Sequence, residues 1–484
     1  MVKVSRLILL LSVPVLLFCF SDCKKDQFST APLSFSTDTL TFDTVFSTLG
    51  STTLYFKVFN GSKSPVKISN IQLMHLEGTQ FRINVDGVSG DHFTNVEIPG
   101  RDSIYVFVEV TVNPNSLLSP YVLFDQVNFT TGSHSQTVVL QAWGQNAYYH
   151  YGEEIKGDST WRNDKPHVII AKDTVPGILV DCGASLTINS GCKVFFAGNS
   201  GIFVEGSLTA VANNWQDSII FRGVRLEQYY DDLPGQWFGI VFLRNDNCIP
   251  HGSFKRCVVN ESSYGIYAGA STSSDLTSLV QNNQPVVNID QCIIKNSQYN
   301  AVYGVNAKIT ASNSLFYTCG DDLVKLGVGG TYNFLNCTMY NTGSNAVAHQ
   351  QPTLLLSNLL SDGSGNIYFA PLSGTFTNCV VYGSLNNEIS FNNYAQTPTQ
   401  DFDVTFSYSA LQTATDTLAL FSPLSANNIL NQNPRFKDPA GNDYTPSDSV
   451  GYTSPLIDYC PSGPSFDLFD KNRSTPVDVG AIEH

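Results

Sequence analysis

The sequence predicts an all-β protein: an N-terminal β-sandwich, then a right-handed parallel β-helix, then a C-terminal cap. Three observations predict it. From about Phe254 to Phe391 a phrase recurs, placing Cys257, Cys292, Ser314, Cys337, Asn358 and Cys379 at steps of 35, 22, 23, 21 and 21 residues. Each copy holds two short apolar segments of Val, Ile, Phe, Tyr and Thr between Gly, Asn, Ser and Asp, which reads as strand and turn without helix. Upstream, Leu33 to Tyr149 alternates apolar and polar residues in runs broken by turn pairs such as Asn60-Gly61 and Pro99-Gly100.

A period near 22 admits a leucine-rich or a β-helical solenoid. The fixed leucines of the former are absent, so strands that return in one direction once per coil are expected, stacked about 4.8 Å apart. The long first step is read as an insertion at Ser271–Gln284.

In chain order, residues 1–22 read as an export signal, with Lys3 and Arg6 before a 14-residue apolar core, Leu7–Phe20, too short to favour a spanning helix. Cys23 closes this segment and resembles the lipid-accepting cysteine of a bacterial lipobox, although Asp22 stands where a small residue is usual and Cys19 is a rival. That resemblance implies an exported protein at the outer membrane or cell surface, touching membrane through a lipid anchor only. Residues 23–32 are the anchored tether. Residues 33–149 hold seven or so strands, which suits an immunoglobulin-like sandwich lacking the Cys…Trp…Cys core. Residues 150–433 are the solenoid, entered through His167–Ile170 and the short strands at Leu186, Val194, Ile202, Leu208 and Ile219. Tyr229–Gly235 is an excursion whose Asp231 and Asp232 could hold Ca²⁺ but read first as an acidic surface loop.

Residues 434–484 close the chain. Pro434–Asp438, Ser454–Asp458, Asp467, Asp470, Arg473 and Val477–Glu483 resemble the ending of the choice-of-anchor Q family of bacterial surface β-helix proteins. The resemblance implies a pectin-lyase-like solenoid, and assigns Asp458, Arg473 and Asp478 as structural partners in a cap over the solenoid end. Tyr459-Cys460 departs from the family, where Gly follows the Asp more often.

Composition narrows the partners. The net charge of −15 opposes nucleic acid and anionic membrane surfaces. Eleven cysteines in an exported chain suggest disulfides. The repeat, however, puts Cys292 and Cys337, and likewise Cys337 and Cys379, two coils apart, roughly 9–10 Å and beyond bridging reach. Cys182 with Cys192 remains the candidate bridge. No CxxC or HxxxH spacing supports a metal site.

The second apolar beat, Ile266, Val302, Val324, Val347, Ile367 and Ile389, is taken to point inward. Strand alternation then turns Tyr267, Tyr303, Lys325, Ala348, Tyr368 and Ser390 outward. Tyr267, Tyr303, Lys325 and Tyr368 would make a platform for sugar rings. Gly320–Leu326 resembles the Gly-Asp-Asp motif of polygalacturonases, which implies acid–base roles for Asp321 and Asp322. The Asn-Thr-Asp, Gly-His-Gly and Arg-Ile-Lys motifs of that family are missing, and His349 is placed at the Leu326 register. A lyase would need Ca²⁺ and a base, for which Asp321, Asp322, Lys325 and Glu388 are thin candidates. The preferred function is non-catalytic attachment to a polysaccharide or cell-surface glycan. The rivals are a polysaccharide lyase or glycoside hydrolase acting on acidic glycans, and a structural spacer.

Overall fold

The computed structural model describes residues 28–484 except 77, 79, 116, 119, 246, 271–282, 362–366, 394–400 and 415–426. The signal segment, Cys23 and the start of the tether lie outside the described residues, as does nearly all of the expected Ser271–Gln284 insertion. No described helix is long and apolar enough to cross a membrane. The chain divides into two compact units, Met1–Asn146 and Ala147–His484.

The first unit is two five-stranded sheets around one core. One sheet runs Ser34–Phe35, Leu54–Phe59, Ser103–Val110, Phe81–Val85, Val88–Gly90, antiparallel throughout. The other runs Thr39–Phe46, His134–Gln145, Tyr121–Thr131, Val66–Leu73, His92–Ile98, with a single parallel pair between its first two strands. Alternation decides the faces. In Ser103–Val110, Ile104, Val106, Val108 and Val110 are buried, and Tyr105, Phe107 and Glu109 face outward. Phe42, Phe56, Phe81, Val127 and Phe129 meet between the sheets.

The second unit is built on short strands wound in coils of three. One coil is Gly177–Val180 on a first face, Ser185–Ile188 on a second and Lys193–Phe196 on a third. Each strand pairs in parallel with its counterpart one coil on, and the third face is a continuous stack of eleven strands. In later coils Asn300–Ser312 and Val324–Leu335 each run through the first two faces without a break.

The core is ladders. Ile178, Ile202, Ile240, Ile266, Val302, Val324, Leu354 and Ile389 stand in register on the first face, all fully buried. Each such side chain contributes roughly 1.5–3 kcal/mol of apolar burial. On the second face Phe334, Phe376 and Phe406 stack at 5.2 and 4.8 Å.

The expected inward ladder is therefore corrected at two places. Leu354 occupies the place assigned to Val347, and Ile367 lies off the ladder altogether. The cysteine column is corrected as well. Thr338 pairs with Val380, so Cys337 and Cys379 sit on adjacent coils, and Asn358 is not between them. The 42 residues from Cys337 to Cys379 are one coil that includes the antiparallel hairpin Leu359–Ser361 with Ile367–Phe369. Both cysteines are buried and unbridged. Cys192 is also free, and Cys182 is bonded to Cys248, not to Cys192.

The residue ahead of each column position is left-handed: Arg256, Gln291, Asn313, Asn336, Asn378 and Tyr408 have φ between 45° and 56°. Asn tolerates this region best among residues with a side chain. The turn aims these side chains outward, and five of them grip the C-terminal tail. Arg256 and Gln291 hold Asp470, Asn313 accepts from Arg473, and Asn336 and Asn378 donate to the Asp478 carbonyl. Gly480 lies so close to the coil that a Cβ there would sit 2.6 Å from Thr338 Oγ1. Leu456, Leu468, Val479 and Ile482 pack with Leu315, Tyr317 and Val380 on the outside of the third face. The tail is thus a strap along the flank, not a cap over the solenoid end.

Within the strap Arg473 donates to the Asp478 backbone carbonyl at 3.4 Å. The Asp458 amide donates to Asp478 Oδ1 at 2.9 Å, and Arg473 pairs with Glu483 at 3.1 Å, both of these side chains almost wholly buried. Asp478 also accepts from the His484 amide at 2.7 Å.

Candidate functional site

With the third face covered, attention falls on the outside of the first. Its outward row runs Leu179, Phe203, Val241, Tyr267, Tyr303, Lys325, Leu355, Ser390. Tyr267 and Tyr303 stack at 4.5 Å and 19°. Two further tyrosines join them. The register slips by one residue between Gly239 and Ile240, and this bulge at Gly265 brings Tyr264 beside Tyr267, ring centres 5.4 Å apart. A Cβ at Gly265 would lie 2.3 Å from the Ala301 carbonyl oxygen, so the bulge needs glycine. Tyr299 adds a ring 5.1 Å from Tyr264 and is 42% exposed. Phe238 and Phe203 extend the aromatic run toward earlier coils at 5.7 Å steps.

At the other end Lys325 Nζ lies over the Tyr303 ring at 5.8 Å. It also bonds Asp321 at 3.2 Å and Asp322 at 3.1 Å. Burial lowers the affinity of this ammonium for its proton, but Asp322 and Asp321 more than offset that and leave its pKa raised. Burial likewise raises the Asp322 carboxyl, with Lys325 opposing. The turn is braced from behind, where Asn341 exchanges two hydrogen bonds with the Cys319 backbone and Asn300 donates to the Asp322 carbonyl. An inverting glycosidase leaves room for water between two carboxylates. Here the ammonium sits against both, and the arrangement is a closed ion triad.

Three expected site residues stand elsewhere. Tyr368 lies in the hairpin, paired with Leu360, off the tyrosine row, while Leu360 itself packs near Tyr267 and Tyr303. Glu388 is fully buried and holds His349, the Thr353 hydroxyl and the Leu385 amide, so it is not on the outer face. His349 is correspondingly not at the Leu326 register, which Leu356 fills. Asp231 and Asp232 are each held by a cation, Arg222 at 2.9 Å and Lys295 at 2.8 Å. Sequence reasoning missed Tyr264, Tyr299, Phe203 and Phe238. The signal available for Phe203 and Phe238 was a bulky ring next to an inward Ile202 or Trp237.

No family model matches the chain, and no curated protein matches it. Among solved structures, the catalytic unit of a family 87 α-1,3-glucanase from Streptomyces thermodiastaticus is similar over 73% of each chain, at 8% identity and a TM-score of 0.22. A family 123 glycoside hydrolase from Clostridium perfringens is similar over 25% of this chain and 30% of its own length, at 9% identity and a TM-score of 0.18. A protein of unknown function from Porphyromonas gingivalis is similar over 26% of this chain and 60% of its own length, at 12% identity and a TM-score of 0.18. At these scores the likenesses carry no argument.

Proposed function

We propose that this is an exported glycan-binding protein, lipid-anchored at Cys23 to the outer membrane or cell surface. In it a right-handed β-helix, preceded in the chain by an immunoglobulin-like sandwich, holds polysaccharide without cleaving it. The observation that carries the proposal is the half-buried tyrosine cluster on the outside of the first face, Tyr264, Tyr267, Tyr299 and Tyr303, ending on Lys325. Aromatic faces bind the apolar faces of sugars, and a positioned ammonium can donate to their hydroxyls. Two carboxylates against one ammonium favour neutral over acidic chains.

The test is a glycan panel read in parallel for binding, new reducing ends and unsaturated products. Tyr303→Ala weakens binding at least tenfold, with no product from either protein, and Cys23→Ser moves the chain out of the membrane fraction. Turnover by the unmodified chain that disappears in Asp322→Asn would replace this proposal with a hydrolase or lyase.

A further inference from the structure

The first unit carries an exposed aromatic cluster of its own. The outer face of the sheet built on Leu54–Phe59 and Ser103–Val110 exposes three rings, Tyr55 at 53%, Tyr105 at 37% and Phe107 at 37%. Their centres lie 5.3–5.9 Å from one another, and Tyr105 and Phe107 are within 13° of parallel. Folding gains nothing from leaving three large rings together in water. Strand register continues the row across the sheet, where Tyr55 faces Phe107, Phe107 faces Asn84, and Asn84 faces Ser89. Four strands span about 14 Å.

The row ends in a cleft of about 680 Å³ lined by Phe107, Asn84, Ser89, Arg82, Glu109 and Thr53 among others. That volume suits a small ligand. Its polar groups are held in place: Thr53 Oγ1 donates to Glu109 at 2.6 Å, Arg82 lies 3.6 Å from Glu109, and Asn84 Nδ2 donates to Ser89 at 3.1 Å. An amide nitrogen and a hydroxyl each have a second hydrogen-bonding capacity, so Asn84 and Ser89 can still donate toward the cleft. Charge is balanced, with Arg82 and Lys57 against Glu109 and Asp91.

We infer that this face binds a neutral oligosaccharide, its ring faces on Tyr55 and Phe107 and its hydroxyls on Asn84, Ser89 and Glu109. A uronate chain would meet the carboxylates of Glu109 and Asp91 in the lining, and a purely apolar partner would strand the polar groups. The inference does not rest on the solenoid proposal, and the test keeps the two apart.

The full chain carrying Tyr303→Ala is titrated calorimetrically with cellohexaose, xylohexaose, maltohexaose and hexagalacturonate. At least one neutral hexasaccharide binds in that background. Adding Tyr55→Ala with Phe107→Ala weakens it at least tenfold, and Ser89→Trp, which fills the cleft from an exposed position, does the same. Melting temperature stays unchanged in both, which separates lost contact from lost fold. The inference is overturned if no neutral hexasaccharide binds, if hexagalacturonate binds best, or if both cleft variants bind normally. It is also overturned if sedimentation shows a dimer that Tyr55→Ala with Phe107→Ala dissociates, since the face is then a contact between copies.

Discussion

His167 shows how one residue at the solenoid entrance links stability to acidity. Its ring stacks on Trp161 at 4.4 Å and 7°, and Trp161 belongs to the solenoid core. Nε2 donates to the Arg162 carbonyl at 2.9 Å, which leaves Nδ1 to accept from His150 Nε2 at 3.0 Å. Burial lowers the His167 pKa from 6.5 to about 4. The unfolded chain therefore takes up a proton that the folded chain refuses. Above pH 6.5 the stabilisation is complete, and it is lost as pH falls from 6.5 toward 4, by up to about 3 kcal/mol. Urea midpoints taken between pH 7 and 5 fall in the unmodified protein. In His167→Gln they fall clearly less, and equal slopes would remove His167 as the cause. Residue-level reasoning from sequence worked for Tyr267 and Tyr303, because alternation alone turns the neighbour of an inward aliphatic outward. It failed for Glu388. A buried carboxylate with four donors around it leaves no trace in a pattern of apolar beats.

Among the elements, the strap is where the sequence was least legible. The Asp–Arg–Asp signature was visible and was expected to cap the solenoid end. Its location was not visible, because the residues that receive it are the left-handed turn residues Arg256, Gln291, Asn313, Asn336 and Asn378. These read as ordinary turn formers, and nothing in their spacing says what their side chains hold. The hairpin at Leu359–Phe369 misled for a different reason. It lengthens one coil to nearly twice the basic step, so Asn358 mimics a repeat position. The strap makes a strong prediction. The Arg473 and Glu483 side chains are 1% and 3% exposed, and burial already lowers the pKa of Arg473. Removing one member of such a pair leaves an uncompensated charge and costs roughly 3–5 kcal/mol. Arg473→Met should therefore lower the urea midpoint sharply, and Arg473→Met with Glu483→Gln should recover part of the loss. A single variant within 1 kcal/mol of the unmodified protein would mean that the strap does not stabilise the flank.

Across the whole molecule, the two hydrophobic cores share no residue, and each unit closes its own sheets. Calorimetry should therefore resolve two unfolding transitions. The disulfide tells which is which. Cys182 and Cys248 lie in the same corner of the solenoid, between the first and second faces, two coils apart. Regular stacking would put them out of reach. The intervening corner is the two-residue turn Glu205-Gly206, tight enough that a Cβ on Gly206 would meet the Ala184 carbonyl oxygen at 2.2 Å. The longer corners on either side close over it, bringing the Cα atoms to 5.9 Å. Coil spacing alone predicted against such bridges because it assumes equal corners. A cross-link 66 residues apart removes about 4 kcal/mol of unfolded-chain entropy. Reductant, or Cys248→Ser, should lower one transition and leave the other in place, because the described free cysteines are buried and the sandwich residues described contain none. Movement of both transitions together would show that the units unfold as one body.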